Sequence, residues 1–493
     1  MASAVALALS TATPALAADC HCNGPSASAA PVSFSIGGNE QASVGGSAAQ
    51  YPGNPGPNEG RVPGGSPVSG SITIGGTSVP LSSIVHPSRG GLLTSRSTVT
   101  SATDADAASG AVGENFTFQP GTNPADPVTI DLLSAGGRRL FPTALVDQAT
   151  LQLGAFASKT KFVSGVLQPD QYRVGQADLM FRSPAVKDAA AQLYQALGAV
   201  DRSIEQTVNQ NLNLTALRLL AGTTKLTPTV TVQSNTRDKV FSAFLAKPIT
   251  SRNKVVTLDF STGTVTVHLD QIPAGGLNSQ PADKELVNSK DYPLIASTVH
   301  DLMHDATNIA IGTIEHSLDA VHIGLNWNNQ LNPTNTINLT WGFSLQQAVT
   351  GTMPRVTNAS TGTLGSVLGT TLATTLNTLS VVGNTVGTVF RPAYNLIIAD
   401  AGNGIFDLAI NKIKFGFTSS VVDMLQPVFG AAAQVVSIQV NHQETSTCTT
   451  AAGTQVPRAH SVSAFSVGFL QSSDAARLDF GRSAASVTIP DCH

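Results

Sequence analysis

The sequence predicts a β-rich α+β protein, with antiparallel, sandwich-like sheets and a few long amphipathic helices packed on them. Three observations carry this. Short segments alternate apolar and polar residues at the strand period of two. Three longer stretches instead repeat apolar residues every three or four positions. The strands are spread along the chain and the helices interrupt them, which is not the regular alternation of a parallel βαβ fold. Composition agrees. Charged residues are 12% of the chain, about half the roughly 25% usual for soluble domains. Thr, Ser, Gly, Ala and Val fill the space, which suits extracellular β proteins and excludes coiled coils and charge-rich disorder. With 27 Lys+Arg against 31 Asp+Glu, the net charge of -4 offers no basic field for nucleic acid or anionic lipid.

Residues 3–17 form a short apolar run ending Ala15-Leu16-Ala17, the small-x-small pattern of a signal-peptidase site. No Lys or Arg precedes it, so Met1 reads as a late start inside a longer export signal occupying 1–17. Residues 18–75 are rich in Gly, Ser, Pro and Ala, as in Gly53-Asn54-Pro55-Gly56-Pro57-Asn58, and read as a flexible leader with little to bury. A β-rich module over 76–230 and a second over 231–493, with helical insertions and C-terminal strands, complete the predicted organisation.

From Ser71, Ile72 and Ile74 alternate with polar residues before Gly75-Gly76 and a second extended run, a strand-turn-strand. Val128, Ile130 and Leu132, then Leu151 and Leu153, then Tyr172 to Arg182 continue the strand pattern. The clearest helix spans 184–208. Ser183 is its cap, Pro184 takes the first helical position, and Val186, Ala190, Leu193, Leu197, Val200, Ile204 and Val208 form one apolar face. Val256, Leu258 and Phe260 alternate up to Gly263, and Val265, Val267 and Leu269 alternate back, a hairpin. Residues 293–322 read as helix, 337–345 as strand and 364–379 as helix; 435–442, 462–470 and 478–489 close the chain as strands.

In order and spacing, several segments resemble the choice-of-anchor G family of actinobacterial surface proteins. They are Ala107 to Val112, Ile130-Asp131-Leu132, Leu151 to Ser158, Tyr172 through Ala177 and Leu179 to Val186 and, more weakly, Ala476 to Ala485. The resemblance covers mainly residues 100–190. It implies an export signal, an extracellular β-rich body, a variable C-terminal anchor and no catalytic site. The C-terminal residues Ser486 to His493 carry no recognisable anchor, so the chain is expected to be either released or held at the surface by noncovalent contacts.

Four cysteines fit an oxidising compartment. Pairing Cys448 with Cys492 closes a loop of about 45 residues, which chain entropy values at about 4 kcal/mol. Cys20 and Cys22 are too close to pair with each other. They are left either to the C-terminal cysteines or as a thiol pair, and Cys20-His21-Cys22 with Cys492-His493 is a metal alternative. No stretch of 18 apolar residues occurs outside the leader, so no transmembrane helix is expected.

The sharpest chemical candidate is His300-Asp301-Leu302-Met303-His304. Residues four apart share a helix face, so both imidazoles could hold one Zn²⁺, with Glu315 or His316 as a third ligand. The zinc-protease pattern needs Glu after the first His, and Asp301 stands there. Two incidental surface histidines are the plainer account. No nucleophile elbow, Walker A loop or dinucleotide fingerprint is present. The expectation is therefore an exported, noncatalytic surface or extracellular protein, with no cofactor, acting in adhesion or envelope structure. Its partner would be a cell-wall glycan or a host or matrix surface. A secreted hydrolase, zinc-dependent through His300 and His304, and a soluble glycan- or lipid-binding module are the alternatives. A lipid reading would want an apolar cavity between the 364–379 helix and its sheet.

Overall fold

A computed structural model describes residues 24–490 and 492, apart from 37–38, 63–70, 75–76, 87–92, 111–127, 135–144, 212–227, 288–290, 382–383, 399–403 and 470–475. The export segment, Cys20-His21-Cys22, His493 and the Gly75-Gly76 turn lie outside these residues.

The apolar periodicity after Ser183 produces a helix over Pro184–Asn211, and its buried residues are the seven predicted ones together with Asp201. It rests against the other helices and against the strand Thr229–Ser234. Asp201 is tolerated inside because its carboxylate accepts hydrogen bonds from Ser234 Oγ at 2.6 Å, Thr236 N at 3.0 Å and Arg237 N at 3.2 Å, which replace lost water.

Among the described residues, four sheets of four or more strands form, every pairing between neighbours antiparallel. Sheet I runs Asn39–Val44, Ser26–Ile36, Ala476–Ser486, Gln455–Phe469, Val436–Thr449 and Lys284–Val287, with Ser47–Gln50 also on Ser26–Ile36. Sheet II is centred on Leu93–Val99, Ala105–Gly110 and Phe156–Val163. Sheet III contains the predicted hairpin, with Val256 opposite Val267 and Leu258 opposite Val265, and adds Ala177–Arg182 and Gln148–Leu153. Sheet IV is Thr229–Ser234, Val321–Asn332, Asn335–Ser344 and Thr357–Asn358. The β-rich α+β class with antiparallel sheets and packed helices is therefore the observed one. Ala177–Arg182 pairs with Thr264–His268, so sheet III draws on both sides of position 230. One apolar core runs from Val32 to Phe480.

The stretch 18–75, expected as a flexible leader, behaves otherwise where it is described. Ser26–Ile36 is an inner strand of sheet I, paired with Ala476–Ser486 from the far end of the chain. Its sequence SASAAPVSFSI has few large apolar groups because its partner surface needs none. Ala27, Ala29 and Ala49 meet Ala105, Ala107, Phe162 and Ala485 in a second buried cluster between sheets I and II. Hydroxyls bridge the same seam. Ser158 Oγ lies 2.7 Å from Ser483 Oγ and donates to Val462 O at 3.0 Å, and Ser47 Oγ lies 2.9 Å from Ser97 Oγ. Opposed strands of the two sheets bring Cα atoms within 8 Å, closer than the ordinary spacing of about 10 Å.

A line of unpaired residues crosses sheet I. Pro31, Gly481, Ala464 and Asn441 are skipped in register by their neighbours. Pro31 has no N–H to give, while Gly481 (φ 60°) and Asn441 (φ 54°) take the left-handed conformation that these two residue types accept. The strand alternation shifts by one there. Leu478 and Phe480 enter the main core, whereas Ala485 and Val487 enter the seam. One sheet thus packs two different partners.

Two further expectations need correction. The helix read over 293–322 ends earlier: it spans Asp291–Glu315, a short turn follows, and Val321 opens a strand to Asn332. Val321, Ile323, Leu325 and Trp327 are buried alternately, a strand signal hidden by its junction with the helix. The helices Asn384–Ile398, Ile405–Asn411 and Ser419–Val435 lie between the predicted helix 364–379 and the predicted strand 435–442, outside every predicted element but for the shared end residue Val435. Among the described residues, no helix is long and apolar enough to cross a membrane.

Candidate functional site

Cys448 and Cys492 form a disulfide with Cα atoms 5.6 Å apart. It ties the end of Val436–Thr449 to the C-terminal residues, where Thr450 and Cys492 also form a β-bridge.

His300 and His304 sit exposed on the helix Asp291–Glu315, one turn apart. The proposed third ligands do not converge on them. A helix rises about 1.5 Å per residue, so Glu315 stands roughly 16 Å further along than His304. His316 Nδ1 instead lies 2.7 Å from Gly312 O. His304 Nδ1 is 3.3 Å from Asn308 Nδ2.

Three other histidines, which the sequence did not single out, are held by carboxylates. His268 Nδ1 donates to Asp178 Oδ1 at 2.7 Å, leaving Nε2 to accept from Thr257 Oγ1 at 3.0 Å. Gln176 donates to the other Asp178 oxygen at 2.6 Å. This has the hydrogen-bond order of an Asp-His-hydroxyl triad. Asp178, His268 and Asp270 are also the group of three metal-ligand side chains found among the described residues, their ligand atoms within 4.8 Å of one another. Both His268 nitrogens are already engaged, so a cation would have to displace a bond. His460, buried at 4% exposure, repeats the arrangement with Asp170 and Thr445, each at 2.7 Å. In both relays the carboxylate fixes tautomer and ring orientation. No local motif could have shown them, since Asp178 and His268 meet only through strand register.

His442 belongs to a charged cluster on sheet I. Its Nδ1 lies 2.7 Å from Asp283 Oδ1 and its Nε2 3.3 Å from Glu444 Oε1. Arg477 contacts both His442 and Glu444, and Arg482 binds Glu40 at 2.7 Å. The hydrogen bond from His442, helped by Arg482 and Arg477 and opposed by burial, brings the Glu444 carboxyl down to about 2. Burial, the largest single influence, pushes His442 down and Arg477 adds to it, but the Glu444 hydrogen bond together with the charges of Asp479 and Glu444 makes the net shift upward. Burial raises Glu40 despite Arg482.

Sheet IV presents a different surface. Its inward side carries Trp327, Trp341, Leu339 and Phe343, all buried. Its outward side is uncharged along the strands. Thr229, Asn326, Thr340 and Thr357 form one cross-strand row, and Asn328 faces Asn338. Gly324 pairs with Gly342 between Thr231 and the sheet edge. Above these glycines lies a cleft of about 590 Å³, walled by Thr231 and Gln233 on one side and Gln347 and Pro354 on the other. The Trp341 indole N–H donates to Pro354 O at 2.8 Å, fixing that wall from beneath. Asp319 and His322 close one end, and Lys239 pairs with Asp319.

The helix Thr363–Val381 lies directly on this sheet. A Cβ at Gly365 would stand 2.5 Å from Thr336 O, and one at Gly369 2.2 Å from Ser360 Oγ. At Gly365 the helix backbone touches the strand backbone, and at Gly369 it touches side chains at the strand Thr357–Asn358, so the first turns of the helix lie against the sheet edge without a gap.

The fold and these surfaces define a class: an antiparallel, charge-poor β-rich protein with a polar sheet face and a C-terminal disulfide. The chain belongs to the family described as a domain of unknown function, DUF8394, whose model matches residues 68–486. No curated protein and no solved structure matches it.

Proposed function

We propose that this is an exported, noncatalytic protein of the choice-of-anchor G type, held noncovalently at the cell surface or in the extracellular matrix. Its role is adhesion or envelope structure. The observation that carries the reading is the uncharged Thr and Asn face of sheet IV, an extended array of donors and acceptors fit for contact with a hydrated polymer. The Cys448–Cys492 disulfide supports export, because such bridges persist in oxidising compartments. Fractionation of the native host into wall, membrane and culture supernatant, probed with an antibody to this chain, tests it. Retention on the wall after a high-salt wash is expected; recovery mainly in the supernatant overturns the surface role.

A second reading, a secreted hydrolase, now rests on the Asp178–His268–Thr257 relay more than on His300 and His304. An ester-hydrolysis assay on wild type and His268→Ala separates the two: activity lost with the ring favours the hydrolase.

A further inference from the structure

We infer that the sheet IV cleft is a binding site for an uncharged polysaccharide, with the paired glycines Gly324 and Gly342 as its floor. The inference deepens the surface-contact reading above and rests on it for biological context only.

The glycines are the starting point. A glycine inside a strand weakens it, and often marks a place where a ligand approaches the backbone. Gly324 has a packing reason, since a Cβ there would stand 2.5 Å from Thr231 Oγ1. Gly342 has none: an added Cβ meets nothing within 4 Å, and its φ is not in the left-handed region. Apart from Gly324, its neighbours in the outward rows carry side chains, Asn326 and Thr340 on one side and His322 and Ser344 on the other, residues that fill such a surface. The bare backbone at Gly342 therefore leaves a trench that packing does not require.

The lining states the ligand's chemistry. No Lys or Arg borders the cleft, so a phosphate, sulfate or uronate has no counter-charge. The only carboxylate, Asp319, is paired with Lys239. The other polar groups are neutral hydroxyls and carboxamides. The Gln233 carboxamide and the His322 ring are exposed and make no hydrogen bond to any described residue. Thr231 Oγ1 donates to Gly324 O at 3.3 Å, which turns its lone pairs outward. Gln347 Oε1 accepts from Ser344 N at 2.9 Å, leaving its amino group to donate. Donors and acceptors without net charge, around a bare floor, match a ligand rich in hydroxyls. The cleft's size lies in the range of roughly 300–1,000 Å³ typical of small-ligand sites. The Thr and Asn rows continue beyond it, so a polymer can extend along the face.

The test is calorimetric titration of the full chain with maltohexaose, mannohexaose and chitohexaose, and with a polygalacturonate hexamer as the charged comparison. Binding of at least one neutral hexamer is expected, changing less than twofold between about 50 and 500 mM salt, because no ion pair is screened. Gly342→Val fills the trench and suits a strand, so affinity should fall at least tenfold while the urea midpoint holds or rises. Gln233→Ala should weaken binding several-fold without altering the fold. Absence of binding by all three neutral hexamers overturns the inference. Equal affinity in Gly342→Val, or preference for the charged hexamer, does so as well. These outcomes are independent of fractionation: a wall-retained protein that binds no neutral hexamer refutes the cleft alone, and a binder found only in supernatant refutes the surface role alone.

Discussion

Ala485→Leu puts the close approach of sheets I and II to the test. Ala485 is fully buried in the seam with Ala27, Ala107 and Phe162. Leucine adds three carbons there. Were a void available, burying them would stabilise the fold by about 2.4 kcal/mol at ~0.8 per methylene. The strands are instead within 8 Å, so the new side chain must part the sheets toward the ordinary ~10 Å. A gap of even ~0.5–1 Å forfeits a quarter to a half of each dispersion contact. It also stretches the Ser158–Ser483 and Ser47–Ser97 contacts of 2.7 and 2.9 Å. Leaving such buried hydroxyls unsatisfied costs about 1–3 kcal/mol each. The net expectation is a loss of about 1–4 kcal/mol, in line with overpacking elsewhere. Urea unfolding with the disulfide intact should show a lower midpoint at unchanged slope, and Thr340→Leu on the open face of sheet IV should stay within about 0.5 kcal/mol. An unchanged or higher midpoint for Ala485→Leu would mean the seam has room, and the account of the Ala/Ser-rich strands would be wrong.

Removing the bridge with Cys448→Ser/Cys492→Ser should cost about 4 kcal/mol from the loop-entropy relation, given the sequence separation of 44, read as a urea midpoint that matches the reduced wild type. The Glu444–His442 contact should stabilise sheet I most between about pH 4.5 and 6.5. Glu444's share is complete above its ordinary value of 4.5 and is lost as pH falls toward about 2, whereas His442's is complete below its ordinary 6.5 and is lost as pH rises through its raised value; subtracting the His442→Gln midpoint from wild type across pH isolates this bell from the opposing effect of Glu40. Since His300 and His304 are exposed and lack converging ligands, Zn²⁺ should shift the melting temperature equally in wild type and His300→Ala/His304→Ala, and a larger shift in wild type would restore the metal site. Gly60→Ala should destabilise by about 1–3 kcal/mol, because its Cβ would fall 2.1 Å from Gly45 O; a neutral result by urea unfolding would contradict that contact.

Much of the fold was written in local periodicity. The helix from Pro184 and the hairpin around Gly263 each bury their own apolar face, so their patterns are self-sufficient. The disulfide was legible because Cys448 and Cys492 lie near each other towards the C-terminus, at a separation that closes a favourable loop, whereas Cys20 and Cys22 are too close to pair with each other. Ser26–Ile36 was not legible. An Ala/Ser strand resembles a linker until its neighbours are known: Ala476–Ser486, some 450 residues away, beside it in the sheet, and the equally small-residue Ala105–Gly110 across the narrow seam. The strand at Val321 was missed for a different reason: its alternation begins six residues after the helix ends at Glu315, behind a short turn, and a window averages the two periods. The relays and the cleft depend on register. Gly324 meets Gly342 because the strand pair turns over Asn332–Asn335, and nothing within either segment announces the encounter.

The low charge of this chain has two structural uses, and geometry tells them apart. Where small residues face another backbone, their size is imposed. Gly481 comes within 3.1 Å of the Phe156 ring, measured from a would-be Cβ, and Gly60 closer still to Gly45. Around the seam, Ala and Ser do the same for whole strands. On sheet IV the small and polar residues face solvent, and Gly342 has open space in front of it. Packing has no preference there, and strand propensity would favour almost any β-branched residue over glycine. Open space alone does not mark a site, since Gly312 and Gly430 inside helices have it too; Gly342 stands out because it lies in the floor of the cleft beside Gly324. That is why the cleft, rather than the His268 relay, carries the functional weight: that relay explains itself as a set of satisfied polar groups at a half-buried position, and the trench does not.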